Sequence, residues 1–136
     1  MTMLKLLRKN QAGAAAIEMA LSLPILVLLI YGIFQVGLLF QANAGMQHAL
    51  GEGARYASLC IPAGNACNVP SNDNIKAKMN ATLFGKSDGS FNVQDVGPGT
   101  GYRTLTITYS RTMSFLLFPG PTVTLTRTKK VYTAGA

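Results

Sequence analysis

From Met19 to Phe40 the chain carries no charged residue, and only Ser22 and Gln35 stand out as polar. At 1.5 Å rise per residue such a run makes a helix of about 33 Å, enough to cross a hydrocarbon core of about 30 Å. No charge occurs between Glu18 and Glu52. A membrane span is therefore the first expectation. The rest of the 136-residue chain has to be fitted around it.

Lys5, Arg8 and Lys9 precede the span, whereas no Lys or Arg follows it until Arg55. The positive-inside rule then puts the N-terminus in the cytoplasm and the C-terminal part outside the membrane. The net charge of +7 raises the question of nucleic acid. The cations are split between the leader, the Arg127, Lys129 and Lys130 stretch and scattered sites, with no basic face interleaved with aromatics, so no nucleic-acid partner is expected.

The two cysteines, Cys60 and Cys67 in CIPAGNAC, fit an exported domain that closes a loop with a disulfide. Two free thiols, or a metal site with His48, are the competing readings. A zinc site would need a fourth ligand, which is missing at any suitable spacing, so no metal and no cofactor are expected.

Gln41 to Ala57 is helix-compatible, Ala-rich and free of proline, with Glu52 three residues before Arg55. Joined to the span, it gives a rod from residue 14 to about 58. Gly45, Gly51 and Gly53 weaken that rod, and a local break near residue 51 is expected. Pro24 removes a backbone hydrogen bond and is expected to kink the helix, or to do nothing.

Beyond the cysteines, PSNDNIKAKMNATLFG predicts a helix. It starts at Ser71, Asn72 or Asp73, has Ile75, Met79 and Leu83 on one face, and stops at Gly85. The period then changes to two. Phe91 to Val96 is a short strand candidate. YRTLTITYSRTM sets Leu105, Ile107 and Tyr109 against threonines, and TVTLTRTKKVY sets Val123, Leu125 and Val131 on one side of a pleat. The proline, glycine, proline run at the end of FLLFPGP predicts the turn between the last two strands. Phe115, Leu116, Leu117 and Phe118 either pack beneath the sheet or form a contact surface for membrane or another subunit. The expected fold is α+β: a long N-terminal transmembrane helix carrying a small periplasmic domain with a short helix and a three- to four-stranded antiparallel sheet.

At this point the residues resemble a known family. The leader ending KNQAG, the junction of Gly13 with AAAIE, the apolar run and the later GEGARYA are similar to the TadE-like pilins of tight-adherence (Flp, type IVc) pilus systems, over about residues 8 to 58. The resemblance implies that a membrane prepilin peptidase cuts between Gly13 and Ala14, with Glu18 then fifth in the mature chain, where type IV pilins and their relatives carry a glutamate. The division is then a cleaved basic leader (1–13), a transmembrane and stalk helix (14–58) and a periplasmic domain (59–136). One departure is Met19, where the major Flp pilins resemble Glu-Tyr. The folded C-terminal domain suits a minor pilin or pseudopilin, acting in pilus assembly for surface attachment. The implied partners are sister pilins, the peptidase, the inner-membrane assembly platform and lipid.

Glu18 then has a chemical use. Cleavage would leave an ammonium on Ala14, about 6 Å away along the helix axis at 1.5 Å per residue. A neighbour displaced by that distance would bring its amine to this carboxylate in a low dielectric, where a lone charge is costly. Glu18 would also lie favourably on the helix dipole. The plainer reading sets it among headgroups at the edge of the span. Small residues such as Ala20, Gly32 and Gly37, with Pro24, would shape helix packing.

Three other readings are open to the chain. A secretory signal cut after Ala44 would use the pattern Ala42-Asn43-Ala44, but the apolar run exceeds the 7 to 15 residues usual for such segments. An uncleaved, membrane-anchored interaction module is the second. An exported enzyme is the third, and its inventory is poor: the one His lies in the stalk, Asp73, Asp88 and Asp95 sit in loop-like contexts, and no nucleophile or phosphate motif appears.

Overall fold

The computed structural model describes residues 12–63, 66–115 and 118–132. Lys5, Arg8 and Lys9 of the leader, and Leu116 and Leu117, lie outside the described residues. Helix α1 (Ala12–Ala57) is followed by strands β1 (Ile61–Ala63) and β2 (Ala66–Asn68), helix α2 (Asn72–Thr82), and strands β3 (Ser90–Val93), β4 (Gly97–Gly99), β5 (Tyr102–Phe115) and β6 (Phe118–Tyr132). The fold is α+β, as expected.

Helix α1 runs unbroken through Pro24 and through all three stalk glycines, so the break expected near residue 51 does not occur. The packing explains two of the glycines. A Cβ on Gly45 would run into the Phe84 carbonyl oxygen, and one on Gly53 into the Met79 side chain. At these positions the missing side chain lets the Phe84 backbone and the Met79 side chain of α2 approach the axis of α1, and that contact offsets their poor helix propensity.

Helix α2 begins where its sequence directs. Ser71 is the N-cap, its hydroxyl accepting from the Asn74 N–H at 3.3 Å, and Asp73 adds a negative charge in the first turn. Ile75 and Met79 are fully buried against α1. Leu83 caps the C-terminus in an extended conformation, and Gly85 turns the chain away at φ +77° against the Gln41 backbone.

Strand β5 is the centre of the sheet. One edge pairs with β6 along nearly its whole length, and the other pairs with β4 near its start and β3 further along. All pairings are antiparallel. Leu105, Ile107 and Tyr109 are fully buried, facing α1 and α2 together with Val93, Val96 and Val131. On the opposite face hydroxyls meet across the strands: Ser90 with Ser110 at 3.0 Å, Thr106 with Thr128 at 3.2 Å, and Thr112 with Thr122 at 2.9 Å. Such cross-strand pairs contribute roughly 0.2 to 1 kcal/mol each.

Two details differ from the sequence expectations. Strand β3 ends at Val93 rather than Val96, and the Gly97–Gly99 segment forms β4, joined to β5 by a two-residue turn in which Gly101 adopts φ +75°. The Pro-Gly-Pro run is not the hairpin turn. Phe115 pairs with Phe118, and Pro119 lies opposite Ser114 inside β6, after a register irregularity between Thr112 and Ser114. Because β6 is an edge strand, its prolines remove no ladder donor that a central strand would need.

Candidate functional site

The first half of α1 stands free of the folded domain. Ala14 to Val27 are exposed throughout, with Ile17 64 % and Leu21 68 % accessible, and Gln35 is the first buried residue of the helix. Gly13 to Ala57 is long and apolar enough to cross a membrane, and only 6 % of its most apolar window is buried. A core helix of a soluble protein would be mostly covered. Burial then follows a helical stripe: Gln35, Ala42, Met46, Ala49, Leu50, Gly53 and Ala57. One helix thus has a bare apolar half and a half that supplies the core of the domain.

Gly13, Ala14 and Glu18 all lie on the bare half, in consecutive turns near its N-terminal end, and all are exposed. Glu18 has no ion-pair partner among the described residues. Ala20 is exposed, and the carbonyl four residues before Pro24 is its own, so the proline leaves the Ala20 oxygen without the usual helical donor. Gly32 and Gly37 face open space, where an added Cβ would meet nothing within 4 Å. Five residues apart, they point about 140° away from each other around the helix, so they do not form one packing stripe.

Several polar residues of the domain have structural partners. Lys76 pairs with Asp95 on the surface; the hydrogen bond to Lys76, and then its charge, hold the Asp95 carboxyl below the usual carboxylate range. Arg127 donates to Asn43 at 2.8 Å, tying β6 to α1, and Arg103 donates to the Pro70 carbonyl at 2.7 Å, tying β5 to the segment before α2. His48 makes an edge contact with Phe84, centroids 5.6 Å apart. Asp73 serves the start of α2, and Asp88 lies 3.5 Å from the Arg111 guanidinium.

Sequence reasoning missed Arg111. Its place in the inward row of β5, after Leu105, Ile107 and Tyr109, makes it 4 % exposed, and its Nε and Nη1 have no hydrogen-bond partner among the described residues. The alternation of that strand was the signal that could have found it. Cys60 is exposed just ahead of β1, and Cys67 lies in β2 with its backbone opposite Pro62.

At the hairpin tip, Gln35 Nε2 donates to the Ser114 carbonyl at 2.9 Å, fixing the tip beside α1. Phe115 and Phe118 stack on each other at 5.1 Å, and Phe118 remains 54 % exposed. They are not part of the core beneath the sheet.

No curated protein and no solved structure matches the chain. A family model described as TadE-like protein matches residues 13–55. That segment is α1 almost from end to end, from the Gly13 junction through GEGAR. Over this helix, the chain is similar to the TadE-like family, the one its sequence resembles.

Proposed function

We propose that the chain is a minor pilin or pseudopilin of a tight-adherence (Flp, type IVc) pilus, cut by a prepilin peptidase between Gly13 and Ala14 and acting in pilus assembly for surface attachment. The observation that carries this reading is that the TadE-like match covers residues 13–55, a helix whose first half is apolar and unburied. Lys5, Arg8 and Lys9 orient it with the N-terminus in the cytoplasm and the small domain in the periplasm, anchored in the inner membrane. Its partners are sister pilins, the peptidase, the assembly platform and lipid. A signal-peptide cut after Ala44 fits poorly with a continuous helix whose Ala42 and Met46 sit in one core on either side of that bond.

In this reading Glu18 meets the Ala14 amine of a neighbour shifted by about 6 Å along the axis, four residues of rise. Its exposure on the bare half of α1 leaves the carboxylate accessible to such a neighbour. Ala20, Pro24, Gly32 and Gly37 shape the helix surfaces that sister helices meet, the two glycines serving different neighbours. A Cys60–Cys67 bridge belongs to the same periplasmic setting, and the bonded state of Cys60 together with the antiparallel β1–β2 pair supports it.

Glu18→Ala and Glu18→Gln variants test the pairing. Both are expected to be processed normally and to lose pilus assembly, scored by filament yield at equal protein level. Wild-type filament yield from Glu18→Ala would sink the pairing.

A further inference from the structure

We propose that Phe115 and Phe118, the described residues at the tip of the β5–β6 hairpin, form a second membrane contact, lying in the headgroup and acyl boundary of the leaflet from which α1 emerges; this rests on the reading of α1 as a membrane span. The position of the tip is the first reason. The Gln35 bond to the Ser114 carbonyl holds the tip at a point inside the charge-free run of the helix, not beyond its end. With the span running over the charge-free residues Met19 to Phe40, Gln35 lies five residues, about 7.5 Å at 1.5 Å per residue, short of the outer end of the span. The tip held beside it is therefore at the outer boundary of the hydrocarbon core rather than clear of it.

The chemistry of the tip is the second reason. Between Arg111 and Arg127 the hairpin has no charged residue. Phe115 and Phe118 form a ring pair outside the core, with Phe118 more than half exposed. On α1, Leu28, Tyr31 and Gly32 lie one to two turns nearer the N-terminus on the same face as Gln35, and they are only half exposed, so the helix face next to the tip is apolar as well.

The backbone supplies a third, independent reason. An unpaired N–H or C=O is costly in lipid, which normally excludes open sheet edges. Here Pro119 and Pro121 carry no N–H, so β6 next to the tip has two fewer backbone donors to leave unpaired. The Ser114 carbonyl, beside the register irregularity, is satisfied by Gln35. At a lipid boundary, each removes a cost.

The chain contains no tryptophan, so Phe118→Trp, Ile25→Trp and Tyr132→Trp each place a single reporter in the full-length protein. Each variant is reconstituted at low density in phosphatidylcholine vesicles, with bromine atoms on the acyl chains either near the headgroup or near the bilayer centre, and with iodide on both sides as the aqueous quencher. Expected is loss of Phe118→Trp emission to headgroup-proximal bromine, loss of Ile25→Trp emission to deep bromine, and loss of Tyr132→Trp emission to iodide alone. Iodide quenching of Phe118→Trp equal to that of Tyr132→Trp, with Ile25→Trp still quenched by bromine, overturns the hairpin contact and leaves the anchor intact. Shielding of Phe118→Trp from both quenchers also overturns it, in favour of a protein partner. Iodide quenching of Ile25→Trp overturns the membrane reading itself.

Discussion

Gly45 and Gly51 are six residues apart in one helix and do opposite things. Gly51 has open space where a Cβ would stand, so it contributes only the backbone entropy cost of glycine, about 1 kcal/mol relative to alanine. Gly45 abuts the Phe84 carbonyl oxygen, and any side chain there must push the chain after α2 away from α1. Gly51→Ala should therefore raise stability by about 1 kcal/mol, while Gly45→Ala should lower it by about 1 to 3 kcal/mol through overpacking. Thermal unfolding of the two variants in detergent measures both. Equal stabilisation by the two would show that Gly45 marks no close approach. In the sequence both glycines count only as helix weakeners, because the Phe84 backbone that separates them is remote along the chain. Arg111 was hidden in a similar way. The alternation that makes Tyr109 inward makes Arg111 inward too, but a charged side chain reads by default as a surface residue.

At the scale of elements, legibility followed the range of the interactions that create each one. Helix α2 could be read because its cap Ser71, its buried pair Ile75 and Met79, and Gly85 just beyond its end all lie within a few turns. Strand β5 could be read from its strict alternation. Strand β4 could not, since Gly-Pro-Gly has no strand pattern and is a strand only through its pairing with Thr104, Arg103 and Tyr102. The hairpin turn was misplaced for a related reason: proline and glycine usually punctuate turns, but on an edge strand proline is tolerated and the register is set by thirteen paired positions of β5 and β6. The β1–β2 pair spans only three positions in each strand, too short to hold itself together. The proposed Cys60–Cys67 bridge should therefore contribute about 2 to 3 kcal/mol by the chain-entropy estimate for so short a loop. The Cys60→Ser, Cys67→Ser double variant should unfold at a lower temperature than the parent, and reductant should lower the parent to match. A parent midpoint unmoved by reductant would contradict the bridge.

Across the whole molecule, α1 is both the apolar segment and a wall of the core. Ala42, Met46, Ala49, Leu50 and Ala57 pack with Ile75, Met79, Leu105 and Tyr109, so the small domain shares its core with the helix that carries it. A force or displacement on the bare half is then passed to the sheet without a flexible joint, which suits a subunit that must hold register in an assembly. The same sharing separates the readings of the N-terminus. Cleavage after Ala44 would remove part of the core, whereas cleavage after Gly13 leaves every core residue of α1 in place. It would also create the Ala14 amine that Glu18 is proposed to meet in a neighbour. The most direct test is the N-terminal residue of the protein isolated from its native membrane. The account predicts Ala14, and predicts that replacing Gly13 by a larger residue abolishes that end; Met1 or Thr2 would show an uncut anchor, and Gly45 a secreted domain, and any of these three would contradict it.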